Sequence, residues 1–411
     1  MKKKVRASSL INAIFVCLLV SVLCGSLVLL SSYQKILSEK LSIKSMLVTN
    51  NISAFNYFLA SIDRMPYNEF QKAEEINGVT TSEGLKKKWG GYEVLISKTY
   101  HKRDTITQIA LIGKISEELK TTALYLTNYG RALKISGNTI LKGDISVPDG
   151  VVEQTFINGN TNRGVLLEGQ RLKSNKNLPK IRDVLYDLND IDYEEINVSD
   201  FLKEKVIVQS FDKKTLLIRL DDITELASIT IKGNVIVESL NDIQIASNVT
   251  LSDIIIKAPK VVFKSGFVGN VQVMAETEIV LEEQSKLIYP SSLIAISDND
   301  SINVTMKKES LMIGNIVVTG GNITDTYKRN ITIEKDSKLI GTLFCNGYSE
   351  LQGKVYGSVF TDWLKLKTKT STYDNVLFDT EINVDSLPKG MAGIPLFEFN
   401  QKNYNAVIKR L

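Results

Sequence analysis

A run without charge near the N-terminus constrains this chain more than any other feature. From Ala7 to Gln34 there is no Asp, Glu, Lys or Arg, and the most apolar part runs from Leu10 to Leu30. At 1.5 Å rise per residue that stretch, folded as a helix, spans a hydrocarbon core of about 30 Å. A cleaved secretory signal has a shorter apolar region, about 7–15 residues, and ends in a small-residue cleavage site. No A-x-A motif follows this run, and Cys24 follows Leu23 where a lipoprotein cysteine would follow a small residue. The run therefore reads as a retained transmembrane helix. Cys17 and Cys24 are small apolar residues within it.

Charge fixes the direction of the span. Lys+Arg number 50 and Asp+Glu 46, a net charge of +4. Lys2, Lys3, Lys4 and Arg6 supply four positive charges, so Ala7–Leu411 carries 46 of each sign and is neutral. The leader stays cytoplasmic by the positive-inside rule, and the C-terminal mass lies outside, in the periplasm or at the cell surface. A neutral body lacks the broad basic face of a nucleic-acid-binding protein. The single histidine, His101, argues against His-dependent catalysis and multi-His metal sites, and Cys345 stands alone outside the apolar run. The expectation is a non-enzymatic protein with no catalytic residues, no metal and no cofactor.

A short basic leader, a small residue and an apolar helix beginning at the leader boundary form a layout that resembles type IV pilins and pseudopilins. Their boundary reads Gly-Phe-Thr-Leu-x-Glu, and this chain has Ala7-Ser8-Ser9-Leu10-Ile11-Asn12. Leu10 matches the family leucine, while Ser8 replaces the aromatic and Asn12 the glutamate. The resemblance is confined to the leader and the helix that follows it, and implies a leader-processing boundary between Ala7 and Ser8. It also implies self-association or association with other envelope or pilus-like proteins.

Beyond the run, Ile36, Leu37, Leu41, Leu47 and Val48 alternate with Lys35, Glu39, Lys40 and Lys44. Ile52, Phe55, Leu59 and Ile62 then recur at spacings of three and four. An amphipathic stalk helix is expected to Pro66. Tyr92–Tyr100 and Thr105–Ile112 flank His101-Lys-Arg-Asp104 as a hairpin, with His101 a turn residue. Asp187, Asp190, Asp192, Glu194 and Glu195 form an acidic cluster in a loop-rich region. Paired carboxylates perform glycoside hydrolysis in other proteins, but a charge run of this kind reads as a solvated loop, and its spacing lacks the glycine and terminal glutamate of an EF-hand.

From Ile229 to Leu366 short apolar strands recur between Asn, Gly, Asp and Ser. Ile243, Val261 and Ile279 are evenly spaced, and Val235, Ile254 and Val271 follow nearly the same interval. Three short strands per ~18 residues fit one coil of a right-handed parallel β-helix, a β-solenoid, whose coils bury one another's faces. Ile279–Ile288 and Ile331–Ile340 repeat a motif at an interval near three such coils. Leu351-Gln-Gly-Lys-Val-Tyr-Gly-Ser-Val359 resembles the glycine-spaced strands of bactofilin-type β-helices. The alternative is a β-sandwich. Seven Asn-x-Ser/Thr triplets occur, and most arise where a turn Asn precedes a β-branched strand, as at Asn248 and Asn330.

The expected organisation is a cytoplasmic leader (1–6), a transmembrane helix (7–32), a helical stalk (33–66), a mixed α+β and loop-rich region (67–228), the parallel β-helix (229–366) and a C-terminal cap or tail (367–411). Trp363, Phe378, Phe397 and Phe399 are expected to close the column's open end. The fold class is mainly β behind one N-terminal helix. The functional expectation is a pilin-like, membrane-anchored structural or surface-assembly protein of a bacterial cell envelope. The alternatives are a surface carbohydrate-binding or polysaccharide-processing β-helix, or an adhesin. An aromatic or acidic groove on the lateral surface would favour sugars, and a smooth mixed-charge surface would favour a scaffold.

Overall fold

The computed structural model describes residues 8–73, 80–157, 159, 166–182, 191–196, 201, 203–220, 222–297, 301–321, 328–397 and 403–411. The chain is mainly β with one long N-terminal apolar helix, α1, Ser8–Ser61. Two compact units are present. The first combines α1 with Phe70–Leu85 and Ser97–Gln108, and the second is built from Ile62–Glu69, Lys86–Ile96 and Ile109–Leu411.

In the first unit the two halves of α1 differ. Leu10, Phe15, Leu18, Leu23 and Leu30 are all exposed, as are Ile36, Leu37 and Leu41 farther along. Burial begins at Leu47 and continues through Asn51, Ala54, Phe55 and Phe58. Those steps of four, three, one and three define a single helical stripe. Of the expected stripe Ile52, Phe55, Leu59 and Ile62, Phe55 and Ile62 are buried as expected, but Ile52 is exposed and a polar residue, Asn51, occupies the buried slot beside it. Strand Phe70–Lys72 pairs antiparallel with Thr81–Trp89, Gln71 lying opposite Gly84. Gly84 lets the Phe58 ring close on the strand, since a Cβ there would lie 2.6 Å from the ring.

Strands Tyr92–His101 and Asp104–Ser116 form the expected hairpin, with Lys102 at positive φ in the turn. In the second unit the last strand, Asn403–Arg410, pairs antiparallel with Asp104–Ser116, from Asn403 opposite Ser116 to Arg410 opposite Ala110.

Most of the rest of the second unit is a ladder of parallel pairings, with Lys354–Lys367 also pairing antiparallel with Thr372–Asp374. Ile243, Val261 and Ile279 lie side by side as their even spacing predicts. The spacing then lengthens. Ile279 pairs with Val304 and Val304 with Ile331, so each of these steps takes in more chain than the one before. The repeated motifs that begin at Ile279 and Ile331 are therefore two steps apart, not three. Extra residues sit in the connections, where added length costs little. The expected three short strands per coil fuse into strands as long as Thr250–Phe263 and Val268–Leu281, which bend at register shifts such as that between Ala258 and Lys260. Val268–Leu281, Lys286–Ile296, Leu311–Thr319, Lys338–Leu351, Arg329–Ile333 and Ile302–Met306 close a ring of six parallel strands, with further strands attached at either side. Antiparallel sandwich sheets do not produce this pattern. Ile and Val stack inside, as with Ile254, Val271 and Ile279, all fully buried.

Parallel pairing also extends past both limits of the expected repeat. Val359 pairs with Leu124, and Thr361 with Leu126. Val355 pairs with Ile382, and Ile382 with Leu141. Leu141 pairs in turn with Leu167. At the other side Leu216 pairs with Glu194 and Val235. Leu366 is consequently not an open end, and the aromatic residues expected to close it are dispersed. Trp363 stacks between Tyr129 and Tyr348, and Phe397 lies against Phe344 and Phe360. Phe378 packs beside Leu366 and Val376, and Phe399 lies outside the described residues.

Candidate functional site

Ser8 opens α1, and Ala7 with the basic leader lies outside the described residues. The helix is long and apolar enough to cross a membrane by length and composition, and the apolar stretch has nothing packed against it among the described residues. Its polar groups are also suited to a medium without water. Ser21 Oγ donates to the Cys17 carbonyl at 2.8 Å, and Ser26 Oγ to the Leu23 carbonyl at 2.8 Å. Both hydroxyls thereby return their hydrogen bonds to the helix backbone, which lipid requires. Asn12, at the family's glutamate position, brings no charge into the run.

The packed half of α1 is pinned by Asn51. Its Nδ2 donates to the Ser97 carbonyl at 3.1 Å, to Thr99 Oγ1 at 3.2 Å and to the Ile106 carbonyl at 3.3 Å, and Asn50 Nδ2 donates to Thr80 Oγ1 at 2.8 Å. A hydrophobicity pattern passes over a polar residue in such a slot. Asn51→Ala removes the donor shared by these buried acceptors and is expected to cost about 2 kcal/mol. Amide hydrogen exchange across 97–108 checks this: protection there falls in the variant, and unchanged protection would show that Asn51 does not hold the unit.

Among the described residues, those singled out for other chemistry do not converge. Asp187 and Asp190 lie outside the described residues. Asp192 pairs with Lys214 at 3.0 Å, and Glu195 approaches Arg219 at 3.7 Å. His101 ends a hairpin strand. Cys345 is buried in the ladder, its thiol donating to the Tyr348 carbonyl, and burial pushes its pKa up. Among the described residues no three His, Cys, Asp or Glu side chains are grouped to hold a metal.

The lateral surface of the ladder carries mixed charge in register. Lys257 pairs with Glu238, Lys260 with Glu278, Lys307 with Glu282 and Lys354 with Glu381, each joining neighbouring strands. Tyr129, Trp363 and Tyr348 form an aromatic stack, with ring centroids 4.7 and 6.0 Å apart and planes within 5° and 11°. The Trp363 ring is engaged by both tyrosines and by the Arg131 guanidinium, 5.7 Å from its centroid.

Beneath this stack lies a polar network that the sequence pattern did not reveal. Asp362 is 2% exposed and accepts from Thr127 Oγ1 at 2.7 Å and from Asn346 Nδ2 at 3.1 Å. Asn346 Oδ1 in turn accepts from the buried Arg329 guanidinium, which also donates to the Gly321 carbonyl at 3.0 Å. Burial pushes the Asp362 pKa up to about 6, against the pull of hydrogen bonds from Thr127 and Tyr129 and of the Arg329 charge. A carboxyl raised in the folded state contributes stability that is full below its unfolded pKa of about 4 and is lost as pH rises through about 6. The loss is about 3 kcal/mol at about 1.4 kcal/mol per unit. Melting temperatures of wild type and Asp362→Asn between pH 4 and 7.5 test this. The wild type should show the larger decline over that window, and parallel curves would contradict the assignment.

No family model matches the chain, and no curated protein matches it. Among solved structures it is similar to the competence-associated pilin ComZ from Thermus thermophilus, with 9% sequence identity, 84% of this chain and 86% of that chain covered, and a TM-score of 0.24. At that TM-score the likeness carries no inference about fold or function.

Proposed function

We propose that this chain is a pilin-like, membrane-anchored structural protein of the cell envelope, without enzymatic activity, whose parallel ladder is a right-handed β-helix displayed outside the membrane. The observation carrying this reading is the division of α1: an uncharged, uncovered first half continuous with a second half packed by Leu47, Asn51 and Phe58. A single helix that leaves lipid and enters a folded head transmits position from the membrane to that head. The ladder suits a passive body. Several of its lysines and glutamates are paired between neighbouring strands, and Gly314, Gly341 and Gly357 stack in register. Partners in this reading are the membrane and either further copies of the chain or other pilus-like envelope proteins.

N-terminal sequencing of the protein isolated from membranes tests the pilin-like component. A mature start at Ser8 is expected. An intact Met1 would leave a simple anchored protein, and a start near Leu30 would mean secretion; either overturns the reading.

A further inference from the structure

The second unit contains a cavity of about 550 Å³ whose lining carries an excess of positive charge. It is lined by Lys335, Gln352, Leu366, Lys367, Thr368, Lys369, Thr370, Phe378 and Asp379. Its volume falls in the range of small-ligand sites, about 300–1,000 Å³. One wall is a hairpin in which Lys354–Lys367 pairs antiparallel with Thr372–Asp374, with Leu366 opposite Tyr373. The hairpin tip is fixed by its own bonds: Thr368 N donates to the Ser371 carbonyl at 2.8 Å, and Ser371 N donates to Thr368 Oγ1 at 3.1 Å. The facing wall comes from Lys335 and Gln352, and the Gln352 backbone N–H donates to the Ile333 carbonyl at 2.9 Å. Leu366 is buried and Phe378 half-buried, and together they form an apolar floor.

Three lysines and one aspartate line this space, a local net charge of +2. Asp379 is already engaged, since its Oδ1 accepts from Asn138 N at 2.8 Å. Among the described residues no ion pair joins Lys335, Lys367 or Lys369 to a carboxylate, and unlike other unpaired ladder lysines such as Lys232, Lys286 and Lys308 these three line one concave space. Converging like charges left unpaired in a concave site favour an anion. An inorganic anion would leave the floor unused, and a hydrocarbon would leave the lysines unused. Nucleic acid needs a long basic track, and the chain beyond its leader is neutral. A sugar bearing a carboxylate or phosphate uses every part: lysines for the anion, Thr368, Thr370 and Gln352 for hydroxyls, and Leu366 with Phe378 for the C–H face of a ring.

We infer that this cavity binds an anionic glycan, a sugar chain carrying carboxylate or phosphate groups. The site stands independently of the anchoring reading, and binding can succeed or fail whatever the mature N-terminus is. Isothermal titration of the full chain in non-ionic detergent is the test. The probes are an oligouronide, a phosphate-bearing oligosaccharide, a neutral oligosaccharide of equal length and a single-stranded DNA of matched charge. Binding of either or both charged sugars is expected, and which of them binds separates carboxylate from phosphate as the source. The variant K335Q/K367Q/K369Q should lose about tenfold or more in affinity. A charge-matched control, K232Q/K286Q/K308Q, should stay within about twofold of wild type, and Phe378→Leu, which keeps apolar volume without an aromatic face, should also weaken binding. No binding of charged sugars, equal binding of the neutral one, tighter binding of DNA, or equal losses in the two lysine variants would overturn the inference.

Discussion

Arginine at both Val20 and Leu23 is expected to release the protein from the membrane fraction if α1 is its anchor. The two positions lie at the middle of the Leu10–Leu30 run, three apart on α1 and therefore on one face. Both side chains are exposed, at 50% and 54%, so the substitutions disturb no packing in the folded head. The run contains 14 Leu, Ile, Val or Phe residues, each contributing about 0.3–0.6 kcal/mol to insertion. Their sum, roughly 4–8 kcal/mol, is opposed by two arginines at about 2.5–3.5 kcal/mol each and by the two apolar side chains they replace. Insertion becomes neutral or unfavourable. The variant should shift to the soluble or aggregated fraction, while its hydrogen-exchange protection across the ladder matches wild type. Full retention in carbonate-washed membranes would show that the run is not the anchor.

Gly341→Ala has the largest expected effect on folding. Gly314, Gly341 and Gly357 stack in register at φ of 145°, 138° and 143°, a backbone region that residues with a Cβ rarely adopt. A Cβ on Gly341 would lie 1.9 Å from the Gly314 carbonyl oxygen, a backbone atom that moves only if the ladder opens. Conformational strain of about 1–3 kcal/mol and the clash together give a loss of at least about 3 kcal/mol. That corresponds to a fall in melting temperature of roughly 5 °C or more. Gly266 supplies the comparison: it too has positive φ, 77°, but a Cβ there would have nothing within 4 Å. Gly266→Ala should cost about 1 kcal/mol. Equal losses at the two positions would mean that the ladder is not packed as described.

The sequence made α1 legible because an uncharged run of this length has few alternatives, and made Ile243, Val261 and Ile279 legible because identical turn lengths preserve a period. Where turns lengthen, as between Val304 and Ile331, the period dissolves although the pairing persists. The pairing of Val359 with Leu124 joins distant parts of the chain, and no local spacing encodes it. Asn51 and Asp362 are polar residues in buried slots, recognisable only once their donors and acceptors are brought around them. The lysine cavity escapes notice for a related reason. Lys335 comes from the connection before one strand and Lys367 from the end of the next, so the cluster forms only when neighbouring strands are laid side by side.

The proposed function of this chain depends on α1 holding the folded head outside the membrane, while the lysine-lined cavity stands apart from it. The most direct measurement fuses to the C-terminus, in separate strains, an enzyme active only outside the cytoplasm and an enzyme active only within it. Activity of the first alone, with the fusion found in membranes, is the predicted result. Activity of the second alone would place the head in the cytoplasm and contradict it.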